Sequence, residues 1–385
     1  MPNKQIVLTL VLFTSIHNTT AELINDQAAT NINSLCDEEY YLKKLAEHLQ
    51  RKLEKQTQGL KEAAVTATKY EIATAATRKP EQRCLVSALA QLARHVANKK
   101  AATAEAQDTQ LTDAIKAIHK QRGVLQAAIE FSKLKVAIDP SNVHGTTPPT
   151  TTMLKFKVDH SGSPACVLPD ESSPRNIGWT QPKPENLIQL KLTAVEALKS
   201  LHKLDKVTLG ATSGSCDTAP DTRSIQKALT GCDWSGGATA TVDEKNVKHT
   251  AITPSTTQVY KDSQSKKECA ANSAAKTGSA SSADKLADLI CAAMEVSHCS
   301  AEMPELTGEV LQNNEIIQTA VAACTPGFSQ MTKLNDIRSS EELKNYIKAK
   351  YGAGKDGFDR NFKALIATRN VPTREGDEIK PKAIE

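Results

Sequence analysis

Apolar residues recur along the first third of the chain at alternating steps of about four and three, the spacing of a coiled-coil seam. The first run skips one position, at polar Glu39, and consists of Leu35, Leu42, Ala46, Leu49, Leu53, Gln56, Leu60, Ala63, Ala67 and Tyr70. The second run begins with Leu85, Leu89, Leu92 and Val96 and resumes one residue out of phase with Leu111, Ile115, Ile118, Leu125 and Ile129. The pattern predicts two long helices, with a local change in supercoiling near Gln107 to Leu111.

Pro80 lies between the two runs and is the only proline between Pro2 and Pro140. A proline favours an extended residue before it and can begin a helix, so Pro80 marks a reversal of the chain. We therefore predict an antiparallel coiled-coil hairpin at about 32–138, with arms at 35–79 and 81–137. Each arm would span roughly 70 to 85 Å at about 1.5 Å per residue.

The pattern changes after Pro140 to short apolar pieces separated by polar loops. We expect a loop-rich head lobe at about 139–280 and closing helices at about 283–368. In the lobe, short strands are predicted at 153–158 and 165–168, and one amphipathic helix at 186–204. The closing helices are predicted at 283–296, 308–323, 339–351 and 357–368, and residues 371–385 as the start of a linker. The fold class is mainly α.

The amino terminus has the composition of a secretory signal. One lysine lies in Met1 to Gln5, an apolar stretch follows from Ile6 to Ile16, and Thr19-Thr20-Ala21 offers small residues for cleavage. The stretch is too short to span a bilayer of about 30 Å. We expect residues 1–21 to be removed, leaving a 22–370 amino-terminal domain outside the cell.

An exported protein keeps its cysteines mostly as disulfides. Zinc is disfavoured because the chain contains no Cys-x-x-Cys pair, and an odd count leaves one thiol free, intermolecular or paired beyond this sequence. The nine cysteines are Cys36, Cys84, Cys166, Cys216, Cys232, Cys269, Cys291, Cys299 and Cys324.

Composition and motifs indicate no enzyme, cofactor or nucleic-acid partner. Net charge is only +4, and basic residues alternate with acidic ones, which is typical of a solvated helical face. Nine histidines are scattered, with no His-Glu-x-x-His or Gly-x-Ser-x-Gly element. The acidic pairs Glu38-Glu39 and Glu341-Glu342 are interpreted as polar helix starts, and we expect no catalytic chemistry from them.

The order of parts resembles the amino-terminal domain of A-type trypanosome variant surface glycoproteins. The resemblance covers roughly residues 22 to 375. The first residue that carries it is Cys36, at the head of the first helix. Other matching segments are Ala63-Ala64-Val65-Thr66-Ala67-Thr68-Lys69-Tyr70, Pro164-Ala165-Cys166-Val167-Leu168, Tyr346-Ile347, Tyr351-Gly352, Phe358, Phe362 and Val371-Pro372.

This resemblance implies a dumbbell-shaped homodimer whose copies pack beside neighbouring coat molecules on the plasma membrane. It implies a Cys36–Cys166 disulfide, and head-lobe loops at about 140–280 that host antibodies see. The pairing of Cys216, Cys232, Cys269, Cys291, Cys299 and Cys324 stays open.

The chain departs from the family pattern at its end. Members usually continue into a cysteine-rich carboxy-terminal domain and a signal for a GPI anchor, neither of which is found before Glu385. Either the sequence is truncated or the protein is secreted. The rival function is a related surface receptor that binds a host macromolecule for uptake.

Overall fold

A computed structural model of the chain is dominated by two long antiparallel helices. It describes residues 25–138, 144–145, 152–153, 156–159, 166–168, 175–200, 207–210, 239–242, 252–262, 266, 268–272, 279–297, 301–363 and 370–383. The predicted signal peptide lies outside these residues. Helix α2 (Leu35–Ala76) and helix α3 (Pro80–Phe131) form the hairpin, and a short helix α1 (Gln27–Thr30) precedes it.

Local signals set the ends of the hairpin helices. The Ser34 side chain caps α2 by accepting a hydrogen bond from Asp37 N, and Pro80 begins α3 as predicted. The second arm ends earlier than the predicted 137. Strand β1 (Lys135–Ile138) instead pairs antiparallel with β4 (Phe156–Asp159), where the β-branched residues Val136 and Ile138 suit a strand.

The predicted seam is buried over much of its length. Leu42, Leu49, Leu111, Ile118 and Leu125 are fully buried. On α3, neighbouring residues are buried together at 84–86, 88–90, 92–93 and 96–97, and burial continues at 104 and 111. At this level α3 also packs against a helix of the closing region, so two faces of α3 are covered at once.

Two separate hydrophobic cores lie at opposite ends of the hairpin. The upper core joins the start of α2 and the end of α3 to the head lobe. The lower core joins the end of α2 and the start of α3 to the closing helices. Between them, at 50–66 and 98–110, only Gln56 and Ala104 are buried. The middle of the hairpin is therefore a shaft with little core of its own.

The described part of the head lobe consists of short strand pairs, 3₁₀ turns and one helix. The antiparallel pairs are β1–β4, β2 (His144–Gly145) with β3 (Thr152–Met153), β5 (Gln189–Leu192) with β8 (Ser255–Gln258), and β6 (Val207–Gly210) with β7 (Thr239–Val242). The 3₁₀ turns are Pro184–Asn186 and Val195–Ser200, and helix α4 is Ser282–Glu295. The strand predicted at 153–158 is split between β3 and β4, and residues 166–168 form no strand.

The single α-helix predicted at 186–204 is wrong over residues 186–200, where the structure has β5 and the 3₁₀ turn Val195–Ser200, and residues 201–204 lie outside the described part. Its leucines fit helical spacing, but Leu190 and Leu192 also alternate with polar neighbours, the period of a half-buried strand. The pairing with β8 decides between the two periods, because it satisfies backbone groups of β5 while both leucines are fully buried in the upper core.

Six further helical segments complete the lower end. They are α5 (Gly308–Leu311), α6 (Glu315–Cys324), α7 (Leu334–Ser339), α8 (Glu341–Tyr351), α9 (Lys355–Phe358) and a π-turn at Asp359–Lys363. The single helix predicted at 308–323 is wrong, because the Asn314 side chain accepts hydrogen bonds from Ile316 N and Ile317 N and begins a new helix there. The helix predicted at 339–351 is confirmed, with its cap at Ser340 and its stop at Gly352.

The predicted linker is also wrong over its described part. Strands β9 (Asn370–Glu375) and β10 (Glu378–Ala383) form an antiparallel hairpin. Gly376 lies in the turn with φ +66°, a conformation that glycine adopts without strain. The polar composition of this segment concealed a strand pair whose residues face solvent.

Candidate functional site

Three consecutive acids at the start of α2 connect the hairpin to the head lobe. We call Asp37, Glu38 and Glu39 the acidic triplet. Asp37 accepts a hydrogen bond from Arg175 at 2.7 Å, and the backbone N–H of Arg175 donates to the hydroxyl of Tyr40 at 2.8 Å. The first acid therefore holds a head-lobe segment against the top of α2.

Glu39 points to α3 and forms a buried ion pair. One carboxylate oxygen accepts from Arg122 Nη2 at 2.8 Å, Arg122 Nε at 3.0 Å and Gln126 Nε2 at 2.8 Å. The two charged side chains are only 6% and 14% exposed. Such a pair sets register between the helices, because breaking it would leave a buried charge uncompensated.

Glu38 is fully buried and has no cation as a partner among the described residues. Its carboxylate accepts hydrogen bonds from Gln121 Nε2 at 3.1 Å and from the backbone N–H of Thr193 at 3.0 Å. The interpretation of Glu38-Glu39 as a polar helix start is right about their place at the beginning of α2, but wrong about polar surroundings, because both side chains are buried. Both acids lie inside the upper core, where they join α2 to α3 and to the end of β5.

Disulfides reinforce the upper end. Cys36 is joined to Cys166 across a separation of 130 residues, which fastens the first turn of α2 to the head lobe. Cys269 is joined to Cys291 of α4 across 22 residues. Cys216, Cys232 and Cys299 lie outside the residues that the structure describes.

The lower end has its own disulfide, between Cys84 of α3 and Cys324 of α6, with a separation of 240 residues. Sequence reasoning placed Cys324 among the unassigned cysteines and did not single out Cys84. The one available signal was its position directly after the Pro80 turn, where the closing helices meet the hairpin. The spacing of cysteines along the sequence does not reveal which distant helices pack together in the folded chain.

An aromatic cluster fastens α8 to the hairpin beside this disulfide. Tyr351 is fully buried, its ring lies 5.0 Å from that of Phe362, and its hydroxyl donates to the carbonyl of Leu85 at 2.7 Å. Phe358 lies 5.2 Å from Phe362. The hydroxyl satisfies a carbonyl of α3 that would otherwise have to find another partner in this core.

Replacing Tyr351 by phenylalanine should lower the free energy of unfolding by about 1 kcal/mol, because the ring contacts remain and one buried hydrogen bond is lost. Urea denaturation followed by circular dichroism measures the change. Tyr40→Phe is the matched control at the upper end, since the hydroxyl of Tyr40 also binds a backbone group. A Tyr351→Phe variant as stable as the parent would contradict this role.

Little in the described residues suggests chemistry. They contain no group of three or more His, Cys, Asp or Glu side chains that could hold a metal ion. His48 is partly buried, and burial lowers its pKa below the ordinary value. His95 lines a shallow groove with Glu71 and Arg94, which form an ion pair with each other. None of the helices described is long and apolar enough to cross a membrane.

The fold of this chain is similar to that of solved variant surface glycoproteins. The solved structure of variant surface glycoprotein VSGsur bound to suramin matches with a TM-score of 0.63 and 15% sequence identity, covering 93% of this chain and 95% of that chain. Another VSGsur structure matches with a TM-score of 0.58 and 15% identity, covering 94% and 95%. No family model matches the sequence, and no curated protein does. The shared fold thus extends over nearly the whole chain.

Proposed function

We propose that this chain is a variant surface glycoprotein, a non-enzymatic coat protein of a trypanosome. The observation that carries the proposal is the match in fold over 93% of this chain and 95% of VSGsur. The match therefore includes the head lobe and the closing helices as well as the helical hairpin.

The form suits a dense protective layer. Helix α3 has 52 residues and would be about 78 Å long at 1.5 Å per residue. A rod of this length, standing upright, exposes its head lobe and shields the membrane beneath. The acidic triplet and the disulfides hold the lobe to the shaft, so loops at about 140–280 can differ between coat proteins without changing the scaffold. Host antibodies would then meet a different surface on each variant.

The proposal includes a homodimer held on the outer face of the plasma membrane by a GPI anchor, after cleavage of residues 1–21. Light scattering of the purified protein should give twice the 41.5 kDa chain mass, less the signal peptide. Phosphatidylinositol-specific phospholipase C should release the protein from intact cells. A monomer, or retention on the cells after lipase treatment, would count against these parts.

The central experiment expresses the chain from its native locus in trypanosomes and measures surface copy number and serum binding. A coat protein should dominate the surface-labelled protein and be bound on live cells by antibodies raised against the head lobe. Pull-down from host serum should recover no selective partner apart from antibodies. Low copy number with one stoichiometric serum protein would overturn the coat function in favour of a receptor.

A further inference from the structure

One carboxyl group in the upper core is buried among neutral hydrogen-bond donors, with no described cation as its partner. Glu38 is fully buried, and each of its two oxygens accepts one hydrogen bond, from Gln121 and from the backbone of Thr193. Gln121 also donates to the carbonyl of Thr193 at 2.8 Å. These three residues, which we call the Glu38 latch, tie α2, α3 and the end of β5 into one closed set of contacts.

A third neutral group lies beside the carboxyl. The Thr193 hydroxyl is buried, and it lowers the pKa of Glu38, as expected of an O–H that faces the ionised form. Its contact with Glu38 falls short of good hydrogen-bond geometry. The described groups that contact the Glu38 carboxyl are therefore all neutral.

Nearby charges do not neutralise Glu38. Charged groups in this part of the upper core include Asp37, Glu39, Arg122, Lys191, Glu196 and Asp284. Asp37 is bound to Arg175, and Glu39 and Arg122 are bound to each other. Lys191 is bound to Asn33, Glu196 to Ser282, and Asp284 to Ser281. An ionised Glu38 is therefore held in the core by neutral donors alone, and burial of the carboxyl without a cation favours its neutral form.

We propose that the Glu38 latch is a proton-operated device that fastens the head lobe to the hairpin more firmly in mildly acidic surroundings than at neutral pH. Binding of one proton by Glu38 removes a buried charge that no described cation compensates. The affected elements are the end of β5 and the segments of α2 and α3 around Glu38 and Gln121.

Burial raises the pKa of Glu38 from its ordinary 4.5 to about 7, and the hydrogen bonds from Thr193 and Gln121 lower it only in part. At pH values between 4.5 and about 7, Glu38 of the folded chain therefore holds a proton that Glu38 of the unfolded chain has released. Stability should therefore fall as pH rises from about 4.5 to about 7 and level off above that. Burial also raises the pKa of Asp26, so its contribution to stability likewise falls as pH rises. Burial lowers the pKa of His48, so the contribution of His48 rises with pH instead.

Glu38→Gln isolates the contribution of the latch, because the amide imitates the protonated carboxyl. Thermal unfolding of the full chain is measured from pH 5 to pH 8. Relative to Glu38→Gln, the parent should lose about 2 to 6 °C in Tm across this range. Glu39→Gln is the matched control: it should lower Tm at every pH, because Arg122 loses its partner, and leave the pH slope unchanged. Equal slopes for the parent and Glu38→Gln would overturn the proposal.

Two further measurements apply even where Glu38→Gln folds poorly. Hydrogen exchange of the 189–193 segment in the parent, corrected for the intrinsic effect of pH, should be slower at pH 5 than at pH 8. Thr193→Val removes a hydroxyl that favours the ionised carboxyl, so the difference in protection should be at least as large in this variant. Exchange of the segment that does not depend on pH, or a smaller difference in Thr193→Val, would contradict the latch.

Discussion

Replacing Gly352 by alanine should destabilise the lower core by roughly 2 to 5 kcal/mol. Gly352 ends α8 with φ +88°, a conformation that costs an L-residue about 1 to 2 kcal/mol. An added Cβ would lie 2.7 Å from the carbonyl carbon of Gly357 and 3.0 Å from the nitrogen of Phe358. Backbone atoms on both sides leave no flexible side chain to move aside, so overpacking adds to the conformational cost.

A second glycine in the same contact strengthens this expectation. The backbone N–H of Gly308 donates to the carbonyl of Gly352 at 2.7 Å, and a Cβ on Gly308 would collide with the carbonyl of Lys348. Gly308→Ala should therefore destabilise the lower core as Gly352→Ala does. The two substitutions should not add fully, because they disrupt the same contact.

Gly59→Ala is the matched control. Gly59 lies within α2 with nothing within 4 Å of an added Cβ, so alanine should stabilise the protein by about 0.5 to 1 kcal/mol through its higher helix propensity. Denaturant unfolding of the three variants gives the comparison. If Gly352→Ala proves no less stable than Gly59→Ala, the backbone approach of α5, α8 and α9 does not hold the lower core.

Removing the Cys84–Cys324 bridge with a double alanine variant should cost about 3 to 5 kcal/mol. The bridge spans 240 residues, and the chain-entropy model gives long loops the larger effect. Unfolding under oxidising conditions measures the loss. Limited proteolysis should show earlier cleavage in the closing helices than in the head lobe, because the bridge fastens α6 to α3.

The Cys269–Cys291 bridge serves as the control. Its separation is only 22 residues, so its removal should cost about 1 to 2 kcal/mol less in the same model, and early cleavage should move to the head lobe. A larger loss of stability from this shorter bridge, or cleavage of the closing helices in both variants, would argue against the proposed role of Cys84–Cys324.

The hairpin could be predicted because a single signal persists over many turns. Apolar residues keep the coiled-coil spacing from Leu35 to Tyr70, and Pro80 interrupts the pattern at one point only. The cap at Ser340 and the stop at Gly352 are likewise local, so the helix between them was predicted correctly. Elements determined by their own residues are the ones that a sequence reveals.

The failures have the opposite cause. The segment 187–192 fits both the helical and the strand period, and only its pairing with residues more than sixty positions later selects the strand. Glu38 and Glu39 look like ordinary first-turn acids until Arg122, Gln121 and Thr193 enclose them. Burial of a charge depends on what the rest of the chain places around it, so the acidic triplet could not be recognised from its own sequence.

The separation of the two cores has a consequence for how the molecule tolerates change. From Leu49 to Ala67 on α2, the shaft separates them by about 27 Å. Free-energy changes at sites more than about 10 Å apart without shared partners add independently. The effect of a substitution in the upper core should therefore be the same whatever residues fill the lower core, so the head lobe can diversify without compensating changes at the other end.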